Sequence, residues 1–161
     1  NEKLLPEGYL REPKSRLNRS TVIEHTKIAR AQRNMHLEIG QPYLLNPNSS
    51  TNTFDAKQYF NAVVGIGFPQ RFYQTLNKLG VNQYQAHEFP DHHDYEIADL
   101  TFDHHDVIIT TEKDAVKFKT LLKQYPEFNI PIWVVPVEAV LSSDCYDLLR
   151  QQLQQVGIQF S

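Results

Sequence analysis

From residue 55 onward, short apolar runs alternate with stretches of helical periodicity, and this predicts an α/β protein: a parallel sheet with helices on both faces, Rossmann-like in layout. Two observations carry the prediction. The runs Ala62-Val63-Val64-Gly65-Ile66, Val107-Ile108-Ile109-Thr110 and Ile132-Trp133-Val134-Val135 are too short for helices and lack the alternation of a half-exposed strand, so they read as strands buried on both faces. Between them, apolar residues recur at spacings of three and four. In such a sheet, ligands are expected beyond the carboxyl ends of the strands.

Taken in order, residues 1–20 are rich in Pro, Gly and charge, with Pro13 placed to open a short helix through Leu17, followed by a strand-like Thr21-Val22-Ile23. Residues 39–54 carry Gly40, Pro42, Pro47 and a run of Asn and Ser, which is turn chemistry and marks a domain boundary. After the strand at 62–66, Pro69 suits the first turn of a helix, Phe72, Leu76 and Leu79 share a face, and Gly80 stops it. Asn82 to Glu88 reads as the next strand. Asp94 is placed to cap a helix with Tyr95, Ala98 and Phe102 on one face. The strand ending at Thr110 leads into a helix to about Lys123, with Thr111 and Asp114 spaced as a capping box. After the strand at 132–135, Leu149, Leu153 and Val156 give the last helix an apolar stripe ending at Gly157.

Composition narrows the function classes. With 161 residues, 40% hydrophobic and 22% charged, the chain can bury a core, which excludes wholesale disorder, a collagen-like repeat or a coiled coil. No apolar run approaches the ~20 residues needed to cross a bilayer, and the first residues lack the layout of a signal peptide. Cys145 is the only cysteine, so no internal disulfide or cysteine-based zinc site can form, and a reducing cytosol is expected. Residues 1–35 carry 8 Lys/Arg against 4 Asp/Glu, and the rest 8 against 15. The basic front could face phosphates or an anionic membrane, or be a solvated helix face; the acidic remainder argues against nucleic acid as a partner.

Three segments could carry chemistry. Gly65-Ile66-Gly67-Phe68-Pro69-Gln70 follows a strand and opens a helix like a dinucleotide fingerprint, but Gln70 replaces the third glycine and Pro69 lacks an N–H, which favours a tight structural turn. His87, His92, His93, His104 and His105 fall in one acidic stretch, where imidazole and carboxylate could together hold a metal. Asp91-His92-His93 resembles the motif of the manganese-binding DHH phosphoesterases, the alternative function class, although the carboxylate clusters those enzymes need are not visible upstream. For His104 and His105, a solvated helix end is the default. In Thr110 to Lys117, Lys113 and Lys117 share one side of a helix and repel unless an anion lies near; a well-capped, solvated helix is the competing account.

Read together, Leu4-Leu5-Pro6-Glu7-Gly8 with Leu10-Arg11-Glu12-Pro13, Gly65-Ile66-Gly67 with Pro69-Gln70-Arg71-Phe72, Phe89 to Tyr95, Thr111 to Lys117, and Trp133 with Pro136-Val137-Glu138-Ala139 resemble one family, tetraacyldisaccharide 4′-kinase, the lipid A 4′-kinase. The resemblance covers the chain apart from the 46–54 linker and the tail. It implies a C-terminal half in which residues 1–36 complete a P-loop kinase lobe, 37–54 are interlobe strands and linker, and 55–161 form a second α/β lobe. Gly-x-x-x-x-Gly-Lys-Ser/Thr has no match here, so ATP and Mg²⁺ are expected to bind mainly to the preceding lobe, and this segment alone is expected to be inactive.

The resemblance further implies transfer of the ATP γ-phosphate to the 4′-hydroxyl of an acylated glucosamine disaccharide 1-phosphate, at the cytoplasmic face of the inner membrane. His92 matches the family's catalytic histidine and is the expected general base, a task that suits an imidazole because its ordinary pKa lies near ~6.5. His93 reads as a packed or solvated imidazole, and Asp91 as shaping the loop. Arg11 could hold a phosphate bidentately or form a surface ion pair. Lys113 is the expected anion contact, with Thr111, Glu112 and Asp114 lining the cleft; the same motif could instead serve lobe architecture. No metal ligand is assigned to this chain.

Overall fold

A computed structural model describes residues 3–8, 11–19, 23–25, 34–46, 53–103 and 107–159. Thr21, Val22, His104 and His105, on which the sequence reading drew, lie outside them. In chain order the elements are β1 (Glu24–His25), β2 (Asn34–Ile39), β3 (Tyr43–Leu44), β4 (Phe60–Val64), α1 (Pro69–Lys78), β5 (Tyr84–Glu88), β6 (Ile108–Thr111), α2 (Glu112–Leu122), β7 (Ile132–Val135), β8 (Val137–Leu141) and α3 (Ser143–Gln155), with 3-10 turns at Lys14–Arg19 and Ile97–Leu100.

The chain forms two compact units, 38–138 and, separately, 1–37 with 139–161. The first holds a five-stranded sheet of order β3-β7-β6-β4-β5. Strands β4 to β7 are parallel, whereas β3 runs antiparallel to β7 with Tyr43 opposite Val134. β4 is buried along its whole length, as its unbroken apolar character requires. Its alternate residues serve two cores. Phe60, Ala62 and Val64 pack with Ile109, Trp133, Val135 and with Phe72, Tyr73 and Leu76 of α1. On the opposite face, Val63 packs with Ile108, Ile132, Leu100 and Phe118 of α2. One helix therefore covers each face, the α/β layering that the alternation predicts.

Local chemistry ends α1 where expected. Gly80 has φ +85, its N–H bonds the Asn77 carbonyl at 3.1 Å, and the Val81 N–H bonds the Leu76 carbonyl at 3.0 Å, a Schellman motif. At the start of α2, the Asp114 N–H donates to Thr111 Oγ1 at 3.2 Å, so Thr111 is the N-cap.

Several expectations are corrected. No helix starts at Asp94: Tyr95 lies outside any helix or strand with its side chain buried, and a 3-10 turn at Ile97–Leu100 is capped by Glu96 with Asp99 in a reciprocal box. Phe102 lies beyond that turn and packs at a tilt against His87, with ring centroids 4.2 Å apart. β3 falls within the interlobe strands expected from residue 37, β2 begins ahead of them at Asn34, and β8 was not foreseen. The short helix expected after Pro13 is present as a 3-10 turn at Lys14–Arg19. β8 joins a second sheet of order β1-β2-β8, and the Ser142 N–H donates to the Asn34 carbonyl at 2.9 Å, both within the unit of 1–37 with 139–161. The predicted stripe on α3 is not buried by the described residues, since Leu153 and Val156 are exposed and Cys145 is the helix's buried side chain.

Candidate active cleft at the carboxyl edge of the sheet

The chain goes from β4 to β5 on one side and returns to β6 on the other, so the switch point of the sheet lies between β4 and β6. Three connections meet at this edge: Gly65 to Gly67 after β4, Phe89 to Tyr95 after β5, and Thr111 with the first turns of α2 after β6.

The side chain of Asp114, fully buried, bridges all three. Its Oδ2 accepts from the Gly65 N–H at 3.2 Å and from the Thr111 hydroxyl at 2.8 Å, and its Oδ1 accepts from the Tyr95 hydroxyl at 3.1 Å. Three donors from three connections thus satisfy one buried carboxylate, which would otherwise be costly to bury. Burial and the Asp114 charge raise the Tyr95 phenol well above its ordinary pKa, so it stays a donor. A Cβ on Gly65 would lie 2.5 Å from the Tyr95 hydroxyl and 3.2 Å from Asp114 Oδ1, so only glycine fits. The expected capping box is therefore corrected: the Thr111 hydroxyl caps the Asp114 N–H, but the Asp114 carboxylate turns across the sheet edge.

The loop after β5 carries the candidate base. His92 has φ +66, left-handed and uncommon for a residue with a Cβ, and its side chain is 82% exposed. Its N–H donates to Asp91 Oδ1 at 3.1 Å, and its Nε2 lies 3.7 Å from Asp91 Oδ2, an electrostatic distance too long for a hydrogen bond. Asp91 also accepts from the Lys113 ammonium, and that bond holds its carboxyl below the ordinary range against the opposing effect of desolvation. Gly67 borders Asp91, whose Oδ2 would lie 3.8 Å from a Cβ there.

His93 turns away from His92. Its Nε2 lies 2.9 Å from Asp99 Oδ2, and its ring stacks on Phe89 at 4.6 Å and meets Tyr95 edge-on at 4.9 Å. Burial would raise the Asp99 carboxyl, but the Glu96 N–H and His93 outweigh it and leave it below the ordinary range. Lys117 donates to the His93 carbonyl at 2.6 Å and lies 5.7 Å from the Tyr95 ring centroid.

The edge therefore gathers Asp91, His92, Thr111, Lys113 and Asp114. Glu112 is spent on architecture, its Oε2 accepting from the Val137 N–H at 3.3 Å. Arg11 is exposed and belongs to the other unit. The anion that Lys113 needs is supplied from within, by Asp91, and the Lys117 ammonium is held by a carbonyl and the face of a ring. Among the described residues no three His, Cys, Asp or Glu side chains converge to hold a metal, and the divergence of His92 from His93 is the reason at this loop. The Tyr95 and Gly65 contributions carried no sequence signal beyond a glycine after a strand. Pockets of about 330 Å³ beside His87 and about 310 Å³ beside Lys119 lie away from this edge, which is open.

An open, doubly wound α/β domain with a polar, histidine-bearing switch-point edge belongs to a class that binds and transforms small ligands there. The comparisons with known proteins are more specific. The family model described as tetraacyldisaccharide-1-P 4′-kinase, LpxK, matches residues 1–154, and the chain belongs to this family. It is 38% identical to the tetraacyldisaccharide 4′-kinase of Psychrobacter cryohalolentis, across all of this chain and 52% of that one, and 37% identical to that of Halorhodospira halophila, across 86% and 40%. The crystal structure of "apo" form LpxK from Aquifex aeolicus in complex with ATP shares the fold, with a TM-score of 0.62 at 21% identity over 98% of this chain and 49% of that one. The chain spans about half the length of the curated relatives it matches.

Proposed function

We propose that this chain is the C-terminal portion of a tetraacyldisaccharide 4′-kinase, which transfers the γ-phosphate of ATP to the 4′-hydroxyl of a tetraacyldisaccharide 1-phosphate in lipid A biosynthesis. The observation that carries the reading is the family match over residues 1–154. In support, the residue matching the family's histidine is displayed on the carboxyl edge and is not packed inside.

Phosphoryl transfer has a loose transition state, so the base on the acceptor side chiefly orients the hydroxyl and takes its proton late. His92 has the exposure this requires. The Asp91 carboxylate stands beside it, with Oδ2 3.7 Å from the ring's Nε2. Lys113, bound to Asp91, is the cation proposed to meet substrate phosphate; Arg11 is a second, through bidentate contact.

The described residues offer neither a converging carboxylate set for Mg²⁺ nor, in this sequence, a phosphate-cradling Gly-x-x-x-x-Gly-Lys loop. Both are assigned to the half of the relatives that this chain does not match, a P-loop lobe of which residues 1–36 form the end. The site of action proposed is the cytoplasmic face of the inner membrane. Attachment there is proposed to be peripheral or through an N-terminal anchor; no helix among the described residues is long and apolar enough to cross a membrane.

The test is His92→Ala in the full-length protein. Turnover should fall by ~10²–10⁴-fold, the range usual for a lost general base, with the unfolding transition retained. Wild-type turnover would reject the role. The manganese phosphoesterase reading has no convergent ligand set among the described residues to favour it.

A further inference from the structure

We propose that Asp114 is a positioning residue: its buried carboxylate clamps the His92 loop to the ends of β4 and β6 and so sets where the imidazole stands. The proposal rests on the assignment of His92 as general base.

The geometry is cooperative. His92 occupies a left-handed backbone conformation that a residue with a side chain holds only when its surroundings impose it. The first two turns of α2 supply that constraint at three points on the loop. Lys113 grips the Asp91 carboxylate, Asp114 takes the Tyr95 hydroxyl, and Lys117 takes the His93 carbonyl. Of these, Asp114 is the one that is buried, and it is the one tied to the other connections, through the Gly65 N–H and the Thr111 hydroxyl. Lys113 and Lys117 extend from the same helix, so the clamp also fixes where both ammonium groups originate. All three partners of the carboxylate donate, and the Gly65 N–H can do nothing else. An amide at 114 replaces the acceptor that faces the Tyr95 hydroxyl by a donor, so that bond survives only with its direction reversed and without the carboxylate's charge.

Reaction rate is sensitive to this kind of displacement. A shift of about 1 Å in a reacting group can cost on the order of 10²-fold. A residue acting only through position should lower kcat more than it raises KM, and its effect should vanish once the group it positions is gone.

The experiment uses the full-length protein with Asp114→Asn, the milder Tyr95→Phe, His92→Ala, and each of the first two combined with His92→Ala. Tyr95→Phe keeps the ring against Phe118, at 4.7 Å, and deletes one donor, so it remains informative if Asp114→Asn fails to fold. Steady-state kinetics and amide hydrogen exchange of residues 91–95 are read for each. Expected are a fall in kcat of ~10–10²-fold with KM little changed, faster exchange in the loop, and no further loss on top of His92→Ala. Wild-type kcat in the folded single variants, or a full additive loss on top of an impaired His92→Ala, overturns the inference and leaves the general-base reading standing. If His92→Ala itself keeps wild-type turnover, that reading fails, and exchange alone judges the clamp: faster exchange upholds it and unchanged exchange overturns it.

Discussion

Gly65 is where one missing atom decides the edge. A methyl group there would press on the Tyr95 hydroxyl and on the Asp114 carboxylate, both immobilised by their own bonds. Gly65→Ala is therefore expected to destabilise the fold by about 1–3 kcal/mol, the usual cost of overpacking, as measured by urea unfolding; unchanged stability would show that the network yields freely. His87 supplies a pH dependence. It is half-buried, packs against Phe102, and its Nε2 lies 3.0 Å from Oδ1 of the buried Asn61, while Gln85, Thr101 and Asp103 line the pocket beside it. Burial lowers its pKa below the ordinary 6.5. The unfolded chain then takes up a proton before the folded one does, so stability is complete above that value and declines as pH falls through the folded pKa. Unfolding followed from pH 7.5 to 5 should show this slope, and His87→Gln should flatten it. The depressed carboxyls of Asp91 and Asp99 act in the same direction at lower pH. The glycine was legible as a turn after a strand, but its reason was not, because the hydroxyl that excludes a Cβ comes from a different connection. His92 was legible only through family resemblance; no local pattern announces a left-handed histidine.

At the scale of elements, α1 and α2 were readable because their signals are local: a proline at the start and a glycine at the end of one, a hydroxyl cap and buried Ala115 and Phe118 in the other. The cap can be tested. Thr111→Ala removes the acceptor for the Asp114 N–H and also a donor to its carboxylate, so it should cost at least the ~0.5–2 kcal/mol of an ordinary lost N-cap. Thr111→Ser should restore most of it, as read from thermal unfolding of the pair; equal losses would show that the methyl group and not the hydroxyl matters. The stretch after Asp94 misled because Tyr95, Ala98 and Phe102 do fall at helical spacing. Their rings answer instead to distant partners, Tyr95 to Asp114 and Phe118, Phe102 to His87. β8 was hidden for another reason: Val137 and Glu138 are exposed and Pro136 interrupts the apolar run, so nothing in the segment carries a buried-strand pattern. Its pairing is set by a strand a hundred residues earlier in the chain, to which Ser142 also bonds.

Across the whole molecule, burial is distributed unevenly between the two units. Every buried hydrophobic side chain identified among the described residues lies in 38–138 except Cys145. Phe60, Leu76, Ile108, Ile109, Phe118 and Ile132 are fully buried there, and each such side chain stabilises by about 1.5–3 kcal/mol relative to exposure. The other unit has β1, β2, β8 and α3, with Tyr146, Leu153 and Val156 exposed on that helix. Stability should follow burial, so the units should not unfold together. The sequence provides the probes to see it. Trp133, the single tryptophan, is 3% exposed and sits in the α1-side core of the sheet, so its fluorescence reports on 38–138 alone. Far-UV circular dichroism reports helix in both units, including the 13 residues of α3. A urea titration of this chain should therefore lose part of its helical signal at concentrations where Trp133 emission is still native, with the remaining signal falling together with the fluorescence. Coincident transitions would show instead that the thinly buried unit draws its stability from the other and that the molecule unfolds as one.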